Sequence, residues 1–151
     1  AEMPFVHAAE GRLMRIRRAS ESFLRENAEF AGAYLPEILE SYKSFADFLK
    51  HGFAFFALEG ENICGNIISN GEYNGCCIVG ADTKAEYRRR GIASALLRTA
   101  IESARERGNE IIWECAEENI PSVRTAESCG MHRCGEFFVR WFEFEPNTPQ
   151  D

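Results

Sequence analysis

The sequence predicts an α/β protein, a mixed sheet with helices on both faces. Three observations carry that expectation. Segments of helical spacing and short apolar runs follow one another in the order β-α-α-β-β-β-α-β-α-β. A strand, turn and helix at 76–107 lead back to an apolar strand at 111–115, which is the signature of a βαβ crossover. And 45% of the 151 residues are apolar, with 12 Phe among them, enough for a substantial core.

The elements follow in order. Met14 to Arg17 reads as a short strand. Ser20 is placed to cap a helix over 21–30, with Phe23, Leu24 and Phe30 inside. A second helix follows Pro36, with Ile38, Leu39, Tyr42, Phe45, Phe48 and Leu49 on one face, and Gly52 ends it. Phe53 to Leu58 is a buried strand. Glu59 to Asn62 turns the chain, and Ile63 to Ser69 runs back. Asn70-Gly71 and Asn74-Gly75 frame the next reversal. Cys76 to Thr83 is a third strand of this group.

Ile92, Leu96, Leu97, Ala100, Ile101 and Ala104 then recur at helical spacing until Gly108. Ile111 to Cys115 is a strand. Asn119 to Cys129 is a short helix with Pro121 in its first turn and Gly130 beyond its end. Phe137 to Phe144 is the last expected strand, and 146–151 is a polar tail expected to be disordered. There is no repeat and no linker, so residues 1–145 read as one domain. Position 1 is not Met, so a processed chain or a piece of a longer protein is expected.

The formal charge of −7 argues against nucleic acid and against an anionic membrane as partner. No apolar run reaches the length of a membrane span, and no signal-peptide core is seen at the N-terminus. A cytoplasmic location and reduced thiols follow as expectations for the six cysteines, most of which sit in or beside apolar runs. Cys129, His132 and Cys134 are close in sequence but lack a second ligand pair at zinc spacing, so no metal site is expected.

The chemistry concentrates at Arg88-Arg89-Arg90-Gly91-Ile92-Ala93, where strand gives way to helix. A helix N-terminus leaves N–H groups without intrahelical partners and carries the positive end of the helix dipole. It therefore suits an anion such as a pyrophosphate. Gly91 permits close approach of the backbone, Ala93 keeps the next position small, and three arginines add charge.

These residues resemble the acyl-CoA signature of the GNAT superfamily of N-acyltransferases: Arg or Gln, two residues, Gly, one residue, Gly or Ala. Arg88, Gly91 and Ala93 match it. A second block, Trp113-Glu114-Cys115 followed by the Asn119 to Met131 helix and its Gly130, is similar to the family's next strand and Asn-led helix. Within the family, this second block is similar to antibiotic self-resistance acetyltransferases of the zwittermicin A type.

The resemblance implies transfer of an acetyl group from acetyl-CoA to an amine by direct attack. It implies that backbone groups of Arg88, Arg89, Arg90, Gly91, Ile92, Ala93 and Ser94 hold the pyrophosphate. Ala81 and Thr83 would align the pantetheine arm and polarise the thioester, and Asn119 would bind that arm, cap its helix, or do both. The family's frequent carboxylate on the strand before the loop is missing, since Cys77 and Val79 stand there. Another group of relatives uses a Glu five residues before the Asn, and Glu114 occupies that place. Flanked by Trp113 and Cys115, it is expected to be partly desolvated, with a raised pKa. A plain solvent-facing Glu is the other reading, and Asp82 is the alternative base, turned to the opposite face by strand alternation.

The family's usual acid, a Tyr, is replaced by Ala126. Ser122, Cys129 or a water are the candidates left for that role. The expected partner is a small-molecule amine. A catalytically weak acyl-CoA-binding domain and a peptide N-terminal acetyltransferase are the competing functions.

Overall fold

The computed structural model describes residues 3–6 and 13–139. Its sheet has six strands in the order β1-β2-β3-β4-β5-β6. These are β1 (Met3–Val6), β2 (Leu13–Arg18), β3 (Ala54–Glu59), β4 (Asn62–Tyr73), β5 (Cys76–Thr83) and β6 (Glu110–Trp113). Neighbours are antiparallel, except that β5 and β6 run parallel. Between β2 and β3 lie α1 (Glu21–Glu26), a π-helical stretch (Phe30–Tyr34), α2 (Leu35–Ser41) and α3 (Phe45–His51). A 3-10 turn (Ala85–Tyr87) precedes α4 (Ile92–Glu106), the helix of the expected βαβ crossover, and α5 (Ile120–Ser128) follows β6. The mixed sheet and its helices match the fold class read from the sequence.

The sheet separates two cores. On one face, Phe55, Ile67, Cys77 and Val79 pack beneath Leu96, Leu97 and Ala100 of α4. On the other, Phe56, Ile63 and Ile68 meet Phe23, Phe30, Ile38 and Phe48. The rings of Phe23 and Phe30 stack at 4.9 Å, and Phe30 meets Phe56 edge-on at 5.1 Å. β3 is buried on both faces, which explains its unbroken apolar run.

Several boundaries differ from those expected. The first helix stops at Glu26, not residue 30. Asn27 is extended there, and its side chain donates to Glu61 O at 3.2 Å and caps the Phe30 N–H at 2.9 Å. The helix expected after Pro36 is two helices. Tyr42 leaves helical geometry so that its hydroxyl meets Ser69 Oγ at 2.8 Å, and Ser44 then caps α3 through the Asp47 N–H.

β4 runs straight through Asn70-Gly71 to Tyr73. The reversal is made by Asn74 and Gly75 alone, both at positive φ (52° and 76°), as a tight hairpin requires. Asn70 instead forms a bulge, because the β4–β5 register shifts between Ser69 and Gly71. Strand β1 has no counterpart in the sequence reading. Of the expected strand at 137–144, residues 137–139 carry no regular structure and 140–144 lie outside the described residues, as does the tail at 146–151.

Candidate active site

The turn from β5 into α4 is held by its own residues. Arg88 Nε donates to Thr83 O at 3.0 Å. Arg90 lies 3.9 Å from Glu59, with its guanidinium 5.5 Å from the Tyr87 ring centre. Two of the three arginines thus brace the loop, while Arg89 is exposed. Arg89 and Gly91 both take positive φ, 63° and 73°. Gly91 is the N-cap of α4, and no side chain caps that end. The first intrahelical bond is Ala95 N–H to Gly91 O at 3.1 Å. The N–H groups of Gly91, Ile92, Ala93 and Ser94 therefore precede the helical ladder. Nothing lies within 4 Å of where a Cβ on Gly91 would stand. The Ile92 side chain is buried in the α4 core and anchors this open end to the sheet.

Gly65 is a residue the sequence reading missed. A Cβ there would stand 3.0 Å from Asp82 O and 3.2 Å from both Ile92 Cγ2 and Thr83 Oγ1. It lets β4, β5 and the start of α4 converge. A lone Gly inside an apolar strand was the available signal.

The second half of the site is a gap between strands. β5 and β6 pair from Cys76↔Glu110 to Val79↔Trp113 and no further. β5 continues along β4 to Thr83, but β6 ends at Trp113, not at Cys115 as expected. The strands part into a cleft of about 240 Å³. Gly80 and Ala81 form one wall, Trp113 and Glu114 the other, and Asn119 and Ser122 line it from α5.

Asn119 is a helix cap: its Oδ1 accepts the Ser122 N–H at 3.3 Å. Its two amide donors are not used by that bond. Ser122 Oγ accepts from Trp113 Nε1 at 3.0 Å. Glu114 stands at the cleft but is exposed, as is Cys115. The expected desolvation is not present in the chain itself, because both residues lie past the end of the pairing. Cys129 is directed elsewhere, with its thiol 3.5 Å from Ser94 O. Ser94 Oγ in turn lies 3.1 Å from Ser128 Oγ, which joins α4 to α5. Asp82 faces the other side of the sheet, opposite Asn66, on the face where Tyr34 packs.

None of the six cysteines is paired. Burial pushes the Cys77 thiol up to about 11, with Glu72 adding to the shift. Among the described residues, no group of three His, Cys, Asp or Glu is placed to hold a metal, and no helix is long and apolar enough to cross a membrane.

An open, uncapped helix end suits an anion, and the parting of β5 from β6 leaves room for an extended ligand. A model of the GNAT acetyltransferase family matches residues 5–139. The chain belongs to that family. The family is one of acetyltransferases.

Solved structures share the fold. A GCN5-related N-acetyltransferase-like protein from Streptococcus suis 89/1591 is 18% identical, with a TM-score of 0.64 over 77% of this chain and 45% of that one. The present chain thus spans less than half of that protein. The aminoglycoside N-acetyltransferase AAC(6')-Iy in complex with CoA is 18% identical, TM-score 0.61, over 89% and 98%. The GNAT domain of S. lividans PAT is 18% identical, TM-score 0.63, over 91% of each. No curated protein matches the chain.

Proposed function

We propose that this GNAT protein moves the acetyl group of acetyl-CoA to a primary amine of a small molecule by direct attack, with Glu114 as the base. The observation that carries this reading is the cleft itself. Glu114 stands where β5 and β6 part, and the uncapped N-terminus of α4 follows the same strand β5. Structural relatives named as aminoglycoside N-acetyltransferases point to the same acceptor class.

Acetyl-CoA supplies an activated acyl group. The protein's share is grip, alignment and proton removal. The N–H groups of Gly91 to Ser94 take the pyrophosphate, with the exposed Arg89 adding charge. The amide of Asn119 holds the pantetheine arm, and the backbone of Ala81 and Thr83 aligns it. A free alkylamine has a pKa near that of Lys, about 10, and arrives protonated at neutral pH. Glu114, at the mouth of the cleft, takes that proton. The bound thioester would itself cover Glu114 and supply the desolvation that the chain alone does not.

Turnover with a panel of small amines, read by thiol release, tests the reading. Acetylation of one or more amines with saturable acetyl-CoA kinetics is the expected result. Tight acetyl-CoA binding with no turnover of any amine or N-terminal peptide would make the chain an acyl-CoA-binding domain instead.

A further inference from the structure

Ser122 is unlike the other hydroxyl residues of α5. Thr125 donates its proton to Pro121 O at 2.9 Å, and Ser128 donates to Thr125 O at 2.8 Å. Both follow the habit of helical Ser and Thr, bonding a carbonyl three or four residues back. Ser122 sits in the first turn of α5, and among the described residues its hydroxyl makes no such bond. What it has is a donor aimed at it: the Trp113 indole N–H at 3.0 Å. An indole can only donate, so this contact fills a lone pair on Ser122 Oγ and leaves the serine proton unassigned. Both residues line the cleft.

The neighbouring position keeps that proton accessible. A helical side chain leans back over the turn N-terminal to it. Position 126 is one turn beyond Ser122, and a long side chain there would lie over the serine. Ala126 leaves it uncovered.

We infer that Ser122 donates a hydrogen bond to the sulfur of CoA as the thioester breaks, and that Trp113 is the positioning residue that aims it. The inference rests on the proposed acetyl transfer. In that reaction the amine nitrogen bonds the acyl carbon, the C–S bond breaks, and its electron pair goes to sulfur. Glu114 passes the ammonium proton on to water before the attack, and then takes the second proton, which the nitrogen loses as the amide forms. The sulfur becomes a thiolate whose acid has a pKa of about 8.5. A serine is too weak an acid to give its proton up for good, so it stabilises the thiolate by a charge-assisted hydrogen bond, and water supplies the proton that finally makes the thiol. Trp113 strengthens that bond by polarising the same oxygen. It also links the last paired residue of β6 to the first turn of α5.

The test reads the thiol directly. Ultraviolet thiolate absorbance is titrated for the CoA complex, with the desulfo-CoA complex as the blank, in wild type, Ser122→Ala, Trp113→Phe and the double variant. The bound thiol of wild type should titrate below free CoA, and each single variant should move it upward. The double variant should move it no further than Ser122→Ala alone, because Trp113 acts only through the serine. The kcat with an accepted amine should fall roughly ten- to hundredfold in Ser122→Ala. Trp113→Phe should cost several-fold, with the acetyl-CoA KM held in both. Trp113→Phe keeps an aromatic ring, and Ser122→Ala keeps the helix, so folded protein is available for each arm. A bound-thiol pKa equal in wild type and Ser122→Ala overturns the inference. So does a fall in kcat that multiplies across the two variants. If wild type acetylates no amine yet shows the shifted thiol, the proposed function fails while the Ser122 contact stands.

Discussion

Val79 and Trp113 are the last residues to face each other across β5 and β6. One residue further, Gly80 stays in register with Ile68 on β4, while Glu114 leaves the sheet. β5 cannot follow both neighbours, and it keeps the antiparallel one. The cleft is the result of that choice.

The loop should fail in a defined way. Gly91 has a φ of 73° and open space where a side chain would point. In Gly91→Glu, left-handed geometry costs roughly 1–2 kcal/mol of stability. The larger effect is a carboxylate placed where the pyrophosphate is proposed to bind. Calorimetry should show acetyl-CoA affinity reduced at least about a hundredfold, near 2.7 kcal/mol. Undiminished affinity in a folded variant sinks the loop assignment.

Glu114→Gln keeps shape and removes basicity. At neutral pH kcat/KM should fall by roughly 10²–10⁴. Acetyl-CoA binding should hardly change, because the α4 end is untouched. Raising pH should partly rescue the variant, since more amine arrives neutral. The measurement is a pH–rate profile of both forms. A wild-type profile in Glu114→Gln removes this residue from the mechanism and leaves a water chain or no base, since Asp82 lies on the other side of the sheet.

Gly65→Ala tests how the site is held together. The new methyl would stand 3.0 Å from Asp82 O and 3.2 Å from Ile92 Cγ2. Overpacking of this kind costs typically about 1–3 kcal/mol. The strain falls on the end of β5 and the first turn of α4, so acetyl-CoA affinity should drop along with the unfolding midpoint. A variant with lowered stability and intact affinity would show that the convergence at Gly65 serves the fold alone.

The cysteines should label in the order of their exposure. Cys115 and Cys134 are exposed and should alkylate first; Cys64 and Cys77 are buried and should alkylate last. Timed alkylation with mass analysis gives the order. Cys77 also carries a pH signature. Its native thiol is held up to about 11, against 9.0 for the ordinary thiol. The unfolded chain therefore loses this proton first as pH rises. Stability falls between about pH 9 and pH 11, and Cys77→Val should remove that part of the fall. Rapid native labelling of Cys77 near pH 8 contradicts its burial.

The strand, loop and helix at 76–107 were legible because each part carries its own local signal: an apolar run, a Gly in a basic turn, and helical spacing. What was not legible depends on contacts far along the chain. The break between α2 and α3 comes from Tyr42 reaching Ser69, and the stop at Glu26 comes from Asn27 reaching Glu61. Neither partner is visible from helical spacing. The exposure of Glu114 follows from where β6 loses its partner, which depends on β4. Asn119 was read both as cap and as ligand-binding side chain, and its cap bond is present. The bond from Trp113 to Ser122 had no signal in the sequence beyond their nearness.

Consecutive residues of β3 serve opposite sides: Phe55 belongs to the layer under α4, and Phe56 to the aromatic layer under α1 to α3. The two layers lie on opposite faces of the strands between them. Substitutions in one layer should therefore add to those in the other with little interaction. The chain behaves like a tool with a fixed handle and an exchangeable head. The rings of Phe23, Phe30 and Phe56 can therefore be changed with little effect on the layer that seats α4.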